Sequence, residues 1–474
     1  VSKAIVNSIW MTSLSFGWVA PGYEPVREAF QLHCKNGIED KAQLAAYCCG
    51  TLVVDLWCLS PEDEYSPSHI QNVFSSSKVL TSLVVAMLVD RGHLRYDQLV
   101  TDLWPEYGQH GKDGTTVSMV MRHEAGLNKF DAPVSPKDLT TERVRSGAMA
   151  EIIAAQRPSH TPGKKRMYHG ITRGWIVNEI VRRADPQGRT VGEFLQQEIA
   201  EPLELCDQLC IGLPEASSID SRLTPLNGRF WGKKGSWWTW RQIVRPRVLG
   251  GGKVPIKSRA VRTALICGIP CYNSALSKIG AKKRRQRLPL TISQESEALS
   301  KQNGDEGLTA VFNTSEVRQC EIPSANAHAS GRALAMVAAV IVEGGSLGPD
   351  GPRLLSEEGI REAQRDTVYK RLNGAYPTRF GNAGFNDFKN RRSGFVGWMG
   401  LGGSVIQWHP EARVAVGYAT NLMEGTFSND RAHVLQDEIL RCAQLSQESV
   451  RERVGAPSKT DGVTTWPRCT TDGR

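Results

Sequence analysis

At 474 residues, with 40% hydrophobic and 23% charged positions, the chain is long enough for one large domain with insertions or for two domains, and its composition excludes wholesale disorder. Its longest apolar stretches, residues 80–88 and 333–342, fall short of the roughly 20 residues that span a bilayer, so no transmembrane helix is expected. The net charge of +9 is local: residues 227–290 hold sixteen Lys and Arg and no Asp or Glu, which leaves the remainder of the chain net negative.

Residues 25–36 carry the pattern of a helix, and residues 44–56 alternate and break at Gly50, as a hairpin of two strands does. A polar, proline-containing loop over 60–69 leads to Val73 and Phe74, which read as strand. From Ser75 the pattern turns helical, with Val79, Leu80, Leu83, Val84, Met87 and Leu88 recurring at steps of three and four until Gly92 stops it. Ser75 is therefore placed at a helix N-terminus. A mainly helical block follows over 76–205, with segments at 117–122, 148–156 and 172–184, and then a basic insertion drawn over 227–320. Asn326 and Ser330 read as the start and cap of a helix after Pro323. Residues 404–408 and 413–420 are β-type runs joined by the turn chemistry of His409, Pro410 and Glu411, and residues 430–444 read as a closing helix. The polar tail over 451–474 reads as disordered. This order predicts an α/β (α+β) fold within residues 20–450. N- and C-terminal segments share one antiparallel sheet flanked by helices, and the helical subdomain is inserted between them.

Eleven scattered cysteines, with Cys48 and Cys49 adjacent in a strand, read as reduced thiols and favour an intracellular compartment, cytoplasmic or mitochondrial. The chain opens on Val1, so no targeting signal is read from it and the compartment stays open. Cys206/Cys210 and Cys267/Cys271 share a spacing, but no second pair or histidine set accompanies either, so neither metal nor cofactor is expected.

Acyl transfer through serine needs an activated hydroxyl, a group to take its proton, and donors aimed at the developing oxyanion. Ser75-Ser76-Ser77-Lys78 sets a Ser and a Lys three apart, which on a helix puts both on one face within hydrogen-bond reach. Alone, the pair is a weak signal and reads first as an N-cap serine followed by a solvated lysine. Context adds weight: the pair opens an apolar helix, and Tyr168-His169-Gly170 and Gly400-Leu401-Gly402-Gly403-Ser404 follow before the C-terminal strands. With these stretches the chain resembles the penicillin-binding-protein and serine β-lactamase superfamily. Its class C β-lactamases, their esterase relatives and the mitochondrial serine β-lactamase-like proteins of animals are the nearest in pattern. The resemblance implies Ser75 as nucleophile, Lys78 as proton acceptor and Tyr168 as proton shuttle. It further implies a wall strand at Trp398-Met399-Gly400, with the backbone N–H groups of Ser75 and Leu401 as oxyanion donors. The resemblance places Gly170, Trp398 and Gly400 at substrate-binding positions; Gly170 stands where that family often has Asn, and Trp398 where lactamases have Lys, so these two point to esters over β-lactams.

The resulting expectation is a carboxylesterase that takes a small-molecule ester or amide and forms an acyl-enzyme on Ser75. A catalytically weak scaffold or a serine peptidase-like protein of the same fold is the alternative. His123, His169 and His328 are weighed as assistants, although a Ser and Lys arrangement needs no histidine. The basic insertion, with Lys282-Lys283-Arg284-Arg285 and Trp237-Trp238, reads as a solvated excursion or as a dock for an anionic membrane or acidic partner. Nucleic acid is not expected, because no recognised fold or aromatic platform goes with the charge.

Overall fold

A computed structural model describes residues 14–59, 64–213, 220–228, 308–388, 394–423 and 429–454. Strand β1 (Leu14–Val19) leads through helix α1 (Glu24–Lys35) into β2 (Ala42–Cys48) and β3 (Thr51–Leu59). The short β4 (Gln71–Asn72) precedes helix α2 (Ser77–Asp90), and the helical block that follows includes α3 (Thr172–Ala184). Next come β5 (Leu209–Ile211), β6 (Ala327–Ala329), helix α4 (Gly331–Val342), β7 (Val368–Leu372), β8 (Tyr376–Phe380) and β9 (Asn386–Asp387). The chain closes with β10 (Val396–Met399), β11 (Val405–His409), β12 (Val414–Thr420) and helix α5 (Asp430–Val454).

Nine of these strands form one antiparallel sheet in the order β1-β3-β2-β12-β11-β10-β9-β8-β7. The last long strand, β12, pairs with β2 from Val414↔Cys48 to Thr420↔Ala42, so N- and C-terminal segments do share a sheet. The hairpin expected at Gly50 closes through Cys49 and Gly50 with φ of 50° and 79°. That is the doubly left-handed turn that a two-residue hairpin loop requires.

Alternation along β12 sorts its two faces. Val414, Val416 and Tyr418 join Val26 and Phe30 of α1 and Leu435 and Ile439 of α5 in one core, while Ala415 and Ala419 face the larger core on the α4 side. Gly417 lies between those alanines, where a Cβ would collide with the Gly331 carbonyl and the Ala335 nitrogen. Its bareness lets α4 lie directly on the sheet. Helix α2 has no polar face, since every residue from Ser77 to Leu88 is buried, and so it runs through the middle of the larger core.

Four expectations need correction. Val73 and Phe74 are not strand: pairing ends at Asn72, and Phe74–Ser76 form a single 3₁₀ turn. Asn326 starts no helix; it precedes β6, whose backbone pairs with β4 and β5, and only Ser330 caps α4, accepting from the Ala333 N–H. The closing helix continues past Gln444 to Val454, through the first residues assigned to the tail. The insertion drawn to 320 is too long, because Phe312 is buried with its ring 5.0 Å from Phe74 and Val317 is buried as well. Residues 229–307, which carry nearly all the basic charge, and residues 455–474 lie outside the described residues. Among the described residues no helix is long and apolar enough to cross a membrane, no group of side chains could hold a metal ion, and the cysteines are free thiols.

Candidate active site

Ser75 owes its position to a tightly held turn. Phe74 adopts a left-handed φ of 43°, which costs energy for a bulky side chain and needs support from its surroundings. That support is a polar clamp. The Asn72 side chain accepts the Phe74 N–H at 2.7 Å and donates to Asn326 at 2.8 Å, while the Val73 N–H reaches the Ala327 carbonyl at 2.9 Å. Asn326 in turn donates to the Val317 and Cys320 carbonyls. Ser77 completes the clamp, donating to the Phe74 carbonyl and accepting from the Ala327 N–H.

From this turn Ser75, half-buried, meets the other two residues singled out with it. The Tyr168 hydroxyl lies 2.6 Å from Ser75 Oγ, and Lys78 Nζ donates to the same oxygen at 3.2 Å. Lys78 is only 2% exposed. Its remaining contacts are backbone carbonyls, Gly170 at 2.7 Å and Ser324 at 2.8 Å, and its ammonium position sits 4.9 Å from the Tyr168 ring centre. Burial, seconded by the Arg173 charge, holds the lysine well below the usual amine range. Burial raises the Tyr168 phenol, against the opposing pull of the Ser75 contact, the Trp398 indole and Arg173.

Arg173 escaped the sequence reading. It is 1% exposed on α3, donates to Ser82 Oγ at 2.7 Å one turn beyond Lys78, and leaves Nε without a partner. Burial lowers its guanidinium to about 10. An arginine in a helix looks solvated in sequence, and only the packing of α3 on α2 shows that this one is a buried cation behind the serine.

The wall loop follows β10. Gly400 has no room for a Cβ, which would strike the Val73 carbonyl and Ser404 Oγ; this close approach brings the loop against the serine turn. Ser404 Oγ donates to the Val73 carbonyl at 2.7 Å and contacts Ser76 Oγ at 3.0 Å. Leu401 is half-buried, and among the described residues its N–H donates to no protein acceptor. The loop is also tied from behind: Arg431 of α5 donates to the Gly402 and Leu422 carbonyls and pairs with buried Glu39 at 2.8 Å.

Trp398 and Gly170 contribute differently from the positions they occupy in sequence. Trp398 is 8% exposed, and its ring packs on Phe380 at 5.4 Å and on Tyr168 and Phe388 at 6.2 Å. It backs the tyrosine. Gly170 acts through its carbonyl, a role that residue type does not reveal. The three weighed histidines, His123, His169 and His328, are buried. His169 donates through Nδ1 to the Met167 carbonyl at 2.6 Å and accepts the Leu127 N–H at 2.9 Å, and burial holds it neutral with its pKa at about 3. His123 accepts the His169 N–H at 3.1 Å and is held well below its usual range by burial, with Arg173 the next cause. His328 is buried in β6, with burial lowering it to about 3.

A nine-stranded antiparallel sheet with helices on both faces, a Ser-x-x-Lys helix start and a facing tyrosine are the parts of a β-lactamase-like fold. The chain belongs to the beta-lactamase family, whose pattern matches residues 40–441. It is 29% identical over 415 residues to the esterase/beta-lactamase LipL of Mycobacterium tuberculosis, covering 86% of this chain and 82% of that protein. A penicillin-binding-protein homologue from Caulobacter crescentus is 27% identical with a TM-score of 0.67, over 90% of this chain and 100% of the other. A family VIII carboxylesterase is 25% identical with a TM-score of 0.68, over 90% of this chain and 100% of the other. Esterases and related hydrolases on a β-lactamase fold are thus its relatives.

Proposed function

We propose that the protein is a carboxylesterase that forms an acyl-enzyme on Ser75. The observation behind this reading is the chain of contacts from Tyr168 Oη to Ser75 Oγ to Lys78 Nζ, with the lysine buried among neutral acceptors. Lys78, neutral because its charge would be poorly solvated, takes the Ser75 proton as Oγ bonds to the ester carbonyl carbon. The N–H groups of Ser75, in the 3₁₀ turn that leads into α2, and of Leu401 receive the oxyanion. Collapse breaks the carbon–oxygen bond to the alcohol, which leaves with a proton from Tyr168; Lys78 returns its proton to the phenol. Water then attacks the acyl-serine by the reverse proton route and releases the acid. A fluorophosphonate probe with peptide mapping tests the reading. Adduct on Ser75 supports it, and folded protein that never labels there defeats it.

Arg173 is a positioning residue in this scheme, because a fixed cation behind Lys78 disfavours a second one. Arg173→Met is expected to shift the acid limb of the kcat/KM profile to higher pH, since the lysine then protonates more easily, and Arg173→Lys is expected to restore the limb. A limb that stays in place in a folded Arg173→Met protein refutes the electrostatic role.

Esters are expected to outrun β-lactams. A lactamase-type site holds the substrate carboxylate with a cation on the wall strand, whereas here that position is a buried indole. One lost charge-assisted hydrogen bond forfeits about 1.5–3 kcal/mol, or one to two orders of magnitude. Comparing kcat/KM for a chromogenic cephalosporin and a p-nitrophenyl acyl ester on one preparation checks this, and equal efficiencies refute it.

A further inference from the structure

Beside the tyrosine lies a cleft of about 450 Å³ lined by Lys164, Lys165, Arg166, Lys370 and Arg371 together with Asn373. One wall is the segment leading into Tyr168, and the other is the β7–β8 hairpin. The two are joined by backbone and side chain: the Asn373 N–H donates to the Arg166 carbonyl at 3.0 Å, and the Tyr168 N–H donates to Asn373 Oδ1 at 2.8 Å. The cleft therefore shares a structural element with the residue that hands a proton to the leaving group.

Its charge is one-sided. Among the described residues the one carboxylate in its framework is Glu124, which is already shared by Arg166 at 2.6 Å and Lys370 at 2.6 Å. Arg166 is fully committed to the frame, donating also to the Val368 carbonyl and to Thr378. Lys164, Lys165 and Arg371 are exposed and, among the described residues, pair with no acidic group. Two of the five lining cations are thus offset by a single carboxylate; of the other three, Lys164 and Lys165 are exposed at the rim and Arg371 leans over the hairpin turn towards the Ala375 carbonyl. Clustered like charges repel and are costly to hold together, and a concave wall focuses their field outward. An anion seated there relieves that repulsion.

We infer that this cleft is an anion subsite for the leaving group, so that the preferred esters carry a carboxylate or phosphate on the alcohol or phenol side. The inference rests on the esterase reading for its placement, because it is Tyr168 as proton donor that makes this the leaving-group side. Lys164 and Lys165 supply ammonium donors on long flexible stems, while Glu124 keeps the inner pair of Arg166 and Lys370 in place. Neutral leaving groups gain nothing from these cations.

The test uses the whole protein and three phenols: 4-hydroxybenzoate, 4-hydroxyphenyl phosphate and methyl 4-hydroxybenzoate as the neutral control. Titration calorimetry is expected to show one or both anions binding about tenfold tighter than the control, with the preference lost in Lys164→Ala/Lys165→Ala and weakened by salt. Comparison of carboxylate with phosphate identifies which anion the site takes. Turnover of the corresponding acetyl esters is expected to show the same preference in kcat/KM, carried by KM, and the anionic-to-neutral ratio is expected to fall about tenfold in the double variant. Because the ratio is compared between two proteins, the intrinsic reactivity of each ester cancels. Equal binding of all three phenols, or an anionic preference untouched by removal of both lysines, overturns the subsite. Neutral and anionic esters turned over without preference also overturn it. Anion binding that depends on the lysines with no turnover of any ester leaves the subsite standing and defeats the esterase reading instead.

Discussion

Ser75→Ala is expected to lower hydrolysis of a short-chain aryl ester by on the order of ten-thousand-fold while leaving a folded protein. The magnitude follows from what converges on one oxygen. Ser75 Oγ is held by both proposed proton carriers, Tyr168 at 2.6 Å and Lys78 at 3.2 Å, so removing it deletes the proposed nucleophile and separates donor from acceptor in a single step. The turn survives because its supports lie elsewhere, in the Asn72 side chain and the Val73 N–H. Lys78 keeps its two carbonyl acceptors. The check is the initial rate on purified protein beside its unfolding midpoint and circular dichroism. A variant that retains the wild-type rate removes Ser75 from the mechanism, and one that fails to fold is replaced by Ser75→Cys, which keeps the contact geometry with a different nucleophile.

Lys78→Met is expected to cost a hundredfold or more in kcat, the usual range for a general base, and to change stability in a way that depends on pH. Burial holds the folded lysine well below its unfolded value. Between the folded and unfolded pKa values the unfolded chain binds the extra proton, so wild-type stability rises with pH across that window, by about 1.4 kcal/mol per unit at full effect, and levels off near the unfolded pKa of about 10.4. Methionine fills similar space with no such slope. The difference in stability between wild type and variant is therefore expected to shift in favour of wild type as pH rises from the depressed folded pKa towards the unfolded one. Denaturant melts of both proteins at several pH values measure it, and a difference that stays flat across the range contradicts a depressed, buried lysine.

Those two residues were readable in sequence because their relation is local: three positions on one helix need no tertiary knowledge. The shared sheet was readable too, since β2, β3, β11 and β12 are apolar runs bounded by turn residues. What sequence did not show depends on distance. Asn72 meets Asn326 and Ser404 meets Val73 only after folding, and nothing in the local pattern of either marks the pairing. Arg173 has the sequence signature of a solvated helix face, and its burial is decided by α2. Gly170 matters for a carbonyl that any residue carries. The strands β7 to β9 went unread because β7 alternates with little burial and β9 is two residues long, too short for periodicity to register. Asn326 was misplaced for the opposite reason: a residue type common at helix starts serves here as a strut between loops.

The sheet order also governs when the molecule can first exist. β2 leaves the ribosome early and lies against β12, whose synthesis comes more than three hundred residues later. Until then the β1-β3-β2 piece has a bare edge, and the wall loop lacks Arg431, whose bond to the Gly402 carbonyl ties it to α5. Domains rich in such distant pairings close late and expose strand edges meanwhile. A chain that stalls before the closing helix carries Ser75, Lys78 and Tyr168 but lacks the frame around them, so the proposed site is assembled only once α5 is in place.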